Sequence, residues 1–232
     1  MSKILITAPI RQDKETLMKY LESLNSLKTE GITVGKLFYL HNCYEELKSY
    51  FDDETTLYNY EDDSKCVKND ITHQWYINNL NAIAKMKNEI IKYSLQNNYD
   101  YTFFVDSDLI LHPNTLIHLH KNLIEMKEYV ISEVFWTEWE KDSGAFGSNA
   151  WDYDAYNGDQ FKYKEKGIFN VGGTGACILI NNKVFGLPNV NYSPIYNVSF
   201  TYWEDRAFCV RLATNGIKIF MDTNYPAEHL YR

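Results

Sequence analysis

The sequence predicts an α/β fold: a single domain with a mostly parallel central sheet and helices on both of its faces. Three observations predict it. Short apolar runs of strand length alternate with longer stretches of helical period through the first half of the chain. Strand, helix, strand, helix is the pattern of parallel strands covered on both sides. The chain has 232 residues, 45% hydrophobic and 23% charged, enough for one α/β domain with a full core and little more.

The elements follow in order. Residues 3–10 form an apolar run with Pro9 near its end, which predicts a buried strand. Asp13 can cap a helix running to about Leu27, with Leu17, Tyr20, Leu21 and Leu24 on one face. Residues 35–40 predict a second strand, Asn42 opens a short helix, and residues 55–60 predict a third strand. A long helix is expected from Thr72 to about Gln96, its apolar stripe supplied by Ile77, Leu80, Ile83, Ala84, Ile90 and Ile91. Residues 101–105 are a strongly apolar strand, a helix follows Pro113, and residues 130–136 are another strand. Residues 137–170 are rich in Gly, Asp, Asn and aromatics without a clean period, and predict a long functional loop. Order returns at residues 176–180. A helix over residues 203–215 stops at Gly216, and a strand over residues 217–221 is the last element expected.

Composition excludes several classes. A formal charge of −8 with no basic cluster argues against a nucleic-acid surface, since phosphate binding is built on grouped Lys and Arg. Cys43, Cys66, Cys177 and Cys209 contain no CxxC pair, so a zinc site of close cysteines is not expected. Cys177 and Cys209 lie in apolar runs and are expected to be buried thiols, and nothing in the sequence requires a disulfide. The N-terminus begins a strand at once and no apolar run has the length of a membrane span, so the expectation is a soluble, cytoplasmic protein without a transmembrane segment. Aromatics reach 16%, a supply of rings suited to sugars and bases; a compositional bias toward Tyr explains the same figure.

The most informative segment is Tyr101-Thr-Phe-Phe-Val-Asp106-Ser107-Asp108. A buried strand ends in two carboxylates one residue apart, at the kind of strand end where open α/β sheets bind ligands. Two such carboxylates repel unless a cation lies between them. Oxygen donors suit Mg²⁺ or Mn²⁺, and such an ion also neutralises a departing diphosphate. The plainer reading is a polar turn whose aspartates cap the next segment.

The run from Tyr99 to Leu109 resembles the DxD segment of GT-A fold glycosyltransferases, and looks closest to the transferase domains of lysyl hydroxylases and to Anp1-type mannosyltransferases, with family-2 glycosyltransferases more distant. The resemblance extends in order over nearly the whole chain. It implies a Rossmann-like GT-A fold and a divalent-metal-dependent transfer of a hexose from a UDP- or GDP-sugar to a carbohydrate or protein hydroxyl. It assigns Asp106, Asp108 and His229 to the metal. It places Thr7, Pro9, Arg11, Lys87, Asn88, Asp106, Ser107, Gly173 and Trp203 on the nucleotide-sugar. By the same likeness Ala84-Lys-Met-Lys87-Asn88 matches an Ala-x-Arg-Asn element, with Lys87 in place of the Arg and its planar fork lost. Trp203-Glu204-Asp205 looks like the acidic motif, which makes Asp205 the base that deprotonates the acceptor and Glu204 its helper; an acidic helix start without chemistry is the plainer reading. Arg232 is a further phosphate candidate, and Trp136, Trp139 and Trp151 are candidates to stack on acceptor sugar. Residues 1–110 are expected to hold the donor and residues 111–232 the acceptor. Two other readings stay open. A nucleotidyltransferase would want a basic glycine-rich loop after the first strand, and residues 7–12 hold no glycine. A catalytically silent carbohydrate- or nucleotide-binding protein would keep the fold without the chemistry.

Overall fold

The computed structural model describes residues 1–61, 77–138, 142–152, 160–197 and 203–230. In chain order the elements are β1 (Ser2–Ile10), α1 (Lys14–Asn25), β2 (Ile32–His41), a 3-10 helix (Asn42–Tyr50), β3 (Thr55–Tyr60), α2 (Ile77–Gln96), β4 (Tyr101–Phe104), β5 (Leu109–Ile110), α3 (Thr115–Met126), β6 (Val130–Glu138), β7 (Phe146–Ser148), β8 (Ala150–Trp151), a second 3-10 helix (Gln160–Lys164), β9 (Ile168–Val171), β10 (Gly173–Thr174), β11 (Ile178–Asn181), a third 3-10 helix (Asn182–Gly186), α4 (Glu204–Thr214) and β12 (Ile219–His229). The main sheet runs β3-β2-β1-β4-β11-β6-β12-β5, with β7 on β6 and β9 on β12. Its first four strands are mutually parallel, as are β6 and β12. The antiparallel β11 joins the two parallel sets.

Strand alternation sorts the core into two layers. Ile4, Ile6 and Ile10 of β1 pack with Leu17, Tyr20 and Leu24 of α1 and with Leu116, Leu119 and Leu123 of α3. Leu5 and Leu37 face the other way, onto Ala84, Ile90 and Ile91 of α2 and Phe208 and Leu212 of α4. Thus α1 and α3 cover one face and α2 and α4 the other. Asp13 caps α1 by accepting the Thr16 N–H at 2.9 Å. Gly216, at φ +73°, ends α4 in the left-handed region that glycine adopts freely. A buried polar network ties α2 to the sheet: the Asn182 amide donates to Ser94 Oγ at 2.7 Å and accepts from Thr102 Oγ1 at 2.8 Å.

Two expectations need correction. Residues 137–170 are not one long loop: they contain the end of β6, all of β7, β8 and the second 3-10 helix, and most of β9. Strands of two to four residues are too short to print a period, which is why the sequence hides them. The last strand does not stop near Met221 but runs to His229. Its register against β6 shifts between Asp222 and Ala227, and Pro226 falls in that irregularity, where a missing N–H breaks no ladder. The predicted start of the long helix at Thr72, and Cys66, Trp139 and Arg232, lie outside the described residues. Cys177 and Cys209 are free and buried. Among the described residues no helix is long and apolar enough to cross a membrane.

Glu133 is a core carboxyl with one oxygen bonded, its Oε1 accepting the Val134 N–H at 3.3 Å. It is fully buried in β6, its Oε2 has no hydrogen-bond partner, and burial, with the Asp222 charge beside it, pushes it up to about 9. The Glu133 side chain is therefore neutral at neutral pH, as a carboxyl without a cation in an apolar layer must be.

Candidate active site

The site is assembled at the carboxyl ends of β1 and β4. Val105 extends the pairing of these strands by donating its N–H to the Thr7 carbonyl at 3.0 Å, and Tyr20 of α1 donates its hydroxyl to the Val105 carbonyl at 3.0 Å. The chain then turns through Asp106-Ser107-Asp108, closed by the Leu109 N–H on the Asp106 carbonyl at 3.1 Å. It enters β5, which lies antiparallel to the end of β12 with Leu109 opposite His229. That pairing carries His229 to Asp108, and Nε2 stands 3.4 Å from Oδ2. The other ring nitrogen, Nδ1, is 3.1 Å from the Thr137 hydroxyl at the end of β6, and the Phe135 ring packs beside the imidazole. A ring held at one nitrogen presents the other in a fixed direction, the arrangement that orients histidine ligands.

The chemistry of these groups fits a divalent cation. Asp106 is pushed up to about 7 by burial, opposed by Lys87 and reinforced by Asp108, Asp205 and Glu204. Asp205, Glu204 and Asp106 act on the one Lys87 ammonium and Asp108 adds its charge beside Asp106, an excess of negative charge that a cation would relieve. Among the described residues no group of three or more His, Cys, Asp or Glu side chains is placed to hold a metal ion by itself. Mg²⁺ and its like commonly take one or two carboxylates and leave their remaining positions to substrate phosphates.

Near this turn, Glu204 and Asp205 open α4 after Trp203, whose extended backbone (φ −79°, ψ 129°) forms the N-cap. Negative charge is favoured at this end of the helix dipole. Lys87 reaches the pair from the middle of α2: its Nζ is 2.6 Å from Asp205 Oδ1 and 3.0 Å from Glu204 Oε1, with the Tyr192 ring 5.0 Å away. Burial disfavours the ammonium, but Asp205 and Glu204 outweigh that cost and hold Lys87 well above its ordinary range. Burial likewise raises Glu204, against the pull of Lys87.

The glycines next to this pair are close-approach positions. A Cβ at Gly175 would lie 2.3 Å from Asp205 Oδ2, so the carboxylate rests on bare backbone. The next two residues, Ala176 and Cys177, are both at positive φ (49° and 39°), a strained turn that delivers the chain into β11. Gly175→Ala is expected to fold but to displace the Asp205 carboxylate, lowering transfer on the order of 10²-fold while nucleoside diphosphate binding persists. Steady-state transfer beside calorimetric binding checks this, and unchanged transfer would show that the Asp205 position is not critical. Gly173, read from sequence as a donor contact, backs onto Trp151: its added Cβ would stand 2.3 Å from the indole.

The other sequence candidates divide. Pro9 and Arg11 are partly exposed at the end of β1, whereas Thr7 is fully buried inside the strand and Ser107 is also buried. Asn88 anchors a neighbouring segment, accepting the Tyr192 N–H at 2.8 Å and donating to Ser193 Oγ at 3.2 Å. Trp203 is exposed, and Arg206 lies between its ring and that of Trp151, at 5.8 and 4.6 Å. Trp136 lies under the Lys164 ammonium. Sequence reading missed Thr137, Tyr192 and Arg206, and gave Gly175 no partner. Only the Gly172-Gly-Thr-Gly175 run carried a local signal. A cavity of about 260 Å³ opens beside the ends of β2 and β3, lined by Tyr39, Asn59, Tyr60 and Met86 among others. A larger groove of about 500 Å³ lies between α2 and residues 190–194, and neither cavity is lined by Asp106, Asp108, Glu204 or Asp205.

This architecture is the Rossmann-like GT-A fold found in solved glycosyltransferases. The chain superposes on the crystal structure of S. aureus TarS 1-349 with a TM-score of 0.60 and 13% identity, covering 98% of this chain and 60% of that one. It superposes on GalNAc-T7, crystallised with UDP, GalNAc and Mn²⁺, with a TM-score of 0.62 and 10% identity, covering 100% and 44%. TarS 1-349 in complex with UDP-GlcNAc gives 0.59 at 12%, covering 98% and 58%. The chain therefore spans 60% or less of the length of these proteins, and the likeness is one of fold. No protein-family model and no curated protein matches the chain.

Proposed function

We propose that this protein is a glycosyltransferase that moves a hexose from a UDP- or GDP-sugar to a hydroxyl acceptor. The observation that carries the reading is the approach of the Asp106-Ser107-Asp108 turn to the Glu204-Asp205 start of α4, close enough that Asp106 feels the charge of both acidic residues and of the Lys87 bonded to them. The UDP in the GalNAc-T7 crystal structure and the UDP-GlcNAc in that of TarS 1-349, which share this fold, support it. Asp106, Asp108 and His229 would be the protein's ligands to Mn²⁺ or Mg²⁺, with remaining positions left to the diphosphate, and the ion would supply positive charge to that leaving group. Pro9 and Arg11, with the cavity beside Tyr39 and Tyr60, receive the nucleoside. Trp203 lies against the sugar and acceptor, and residues 111–232 supply most of the acceptor contacts.

Asp205 accepts the proton of the acceptor hydroxyl as that oxygen bonds to the anomeric carbon and the bond from that carbon to the diphosphate oxygen breaks. Glu204 holds the helix end and the ammonium between the two carboxylates. A carboxylate on the acceptor side suits a single displacement with inversion. The test is a panel of nucleotide-sugars screened by thermal shift with Mn²⁺, followed by donor hydrolysis and transfer on each hit. Stabilisation and turnover by a UDP- or GDP-sugar are expected. Binding without any turnover would favour the silent binding protein instead.

A further inference from the structure

Lys87 is the only lysine buried among the described residues, at 4% exposure. Nothing about a helical lysine requires this, since its stem ordinarily carries the charge out to water. Here α2 is fixed to the sheet through Ser94 and Asn182, and it packs on α4. The ammonium has three donors. Two go to Asp205 Oδ1 and Glu204 Oε1, and the Tyr192 ring flanks the nitrogen. A compact ammonium with rotatable donors fits between carboxylates on adjacent residues.

We propose that Lys87 is a positioning residue for the acidic pair: it aims Asp205 and balances the charge of Glu204 and Asp205, and does not bind the donor diphosphate. The proposal rests on the reading of Asp205 as the base. Other groups also bear on the pair. Asp106 after β4 adds negative charge, Tyr192 contributes a neutral phenol from the segment before α4, and Arg206 and the Cys209 thiol lie on α4 itself. Without Lys87 the pair faces the negative charge of Asp106 with neither carboxylate bonded to its ammonium, while Arg206 on the same helix has its guanidinium against Trp151 and Trp203. Protonation of the pair then becomes easier, because like charges disfavour the ionised forms.

The experiment compares wild type with Lys87→Met and Lys87→Arg by carboxyl ¹³C NMR titration, nucleoside diphosphate calorimetry with Mn²⁺, and transfer. In Lys87→Met the pair is expected to take up its proton at higher pH than in wild type. Transfer at neutral pH should fall by up to about 10²-fold and recover as pH rises, with diphosphate affinity unchanged when compared at saturating Mn²⁺ and at a pH above the Asp106 range, since Lys87 also bears on Asp106. Lys87→Arg, which keeps the cation, should titrate as wild type does. An unchanged carboxyl titration in Lys87→Met, or a loss of diphosphate affinity in step with the loss of transfer, overturns the proposal. If Lys87→Met does not fold, Glu204→Gln probes the same contact. It leaves the ammonium to Asp205 alone and should move the remaining titration to lower pH, and no movement overturns the proposal. The titration needs neither donor nor acceptor. A shifted titration in a protein that transfers no sugar therefore supports the charge balance and removes the transferase reading.

Discussion

Asp205→Asn is expected to lower transfer by about 10²–10⁴-fold, the usual cost of losing a general base, while donor affinity stays nearly unchanged. The substitution keeps the shape that rests on Gly175 and leaves a carbonyl oxygen for Lys87 at the Oδ1 position, where the carboxylate stands 2.6 Å from Nζ. It removes the capacity to take the acceptor proton. Glu204→Gln should cost less, because Glu204 is buried and bonded to Lys87 and does not face the acceptor in this reading. Single-turnover transfer, measured beside donor binding for each variant, decides the matter. Near-normal turnover in Asp205→Asn would place the base elsewhere, or point to a retaining mechanism.

The second large effect concerns the cation. UDP or GDP binding measured by calorimetry should be readily detected with Mn²⁺ and lost in EDTA. His229→Ala should weaken the Mn²⁺-dependent affinity by about 10–100-fold, the range seen when a group that orients or completes a metal site is removed. Asp108→Asn should cost more, because Asp108 brings the charge as well as the geometry. Both variants should keep the fold, since Asp108 sits in a turn and His229 is the last residue of β12. Equal affinity in Mn²⁺ and in EDTA would remove the cation from the account and leave the carboxylate excess around Asp106 to Lys87 alone.

Much of the fold was legible because its long elements carry strong periods. The β1, α1, β2, β3 and β4 segments, α3 after Pro113 and α4 before Gly216 all lie within a few residues of their expected places. The short strands between Phe146 and Thr174 were not legible, since two to four residues give no period and their pairing is set by partners far away in sequence. The extension of β12 was hidden by Pro226, which reads locally as a strand terminator and is tolerated only because the register breaks there.

The sequence by itself determined the α/β class, the acidic turn at the end of β4 and the acidic start of α4, because each is a local pattern written in consecutive residues. Tertiary structure alone decided what these groups face. His229 meets Asp108 because β12 runs on to pair with β5, and Thr137 fixes its ring from β6. Lys87 turns inward to Glu204 and Asp205, 117 and 118 positions away, because α2 and α4 cover the same face of the sheet. Gly175 is small because Asp205 rests on it. Charge and close contact act through space over a few ångströms, and a one-dimensional chain does not record which distant residues will share that space.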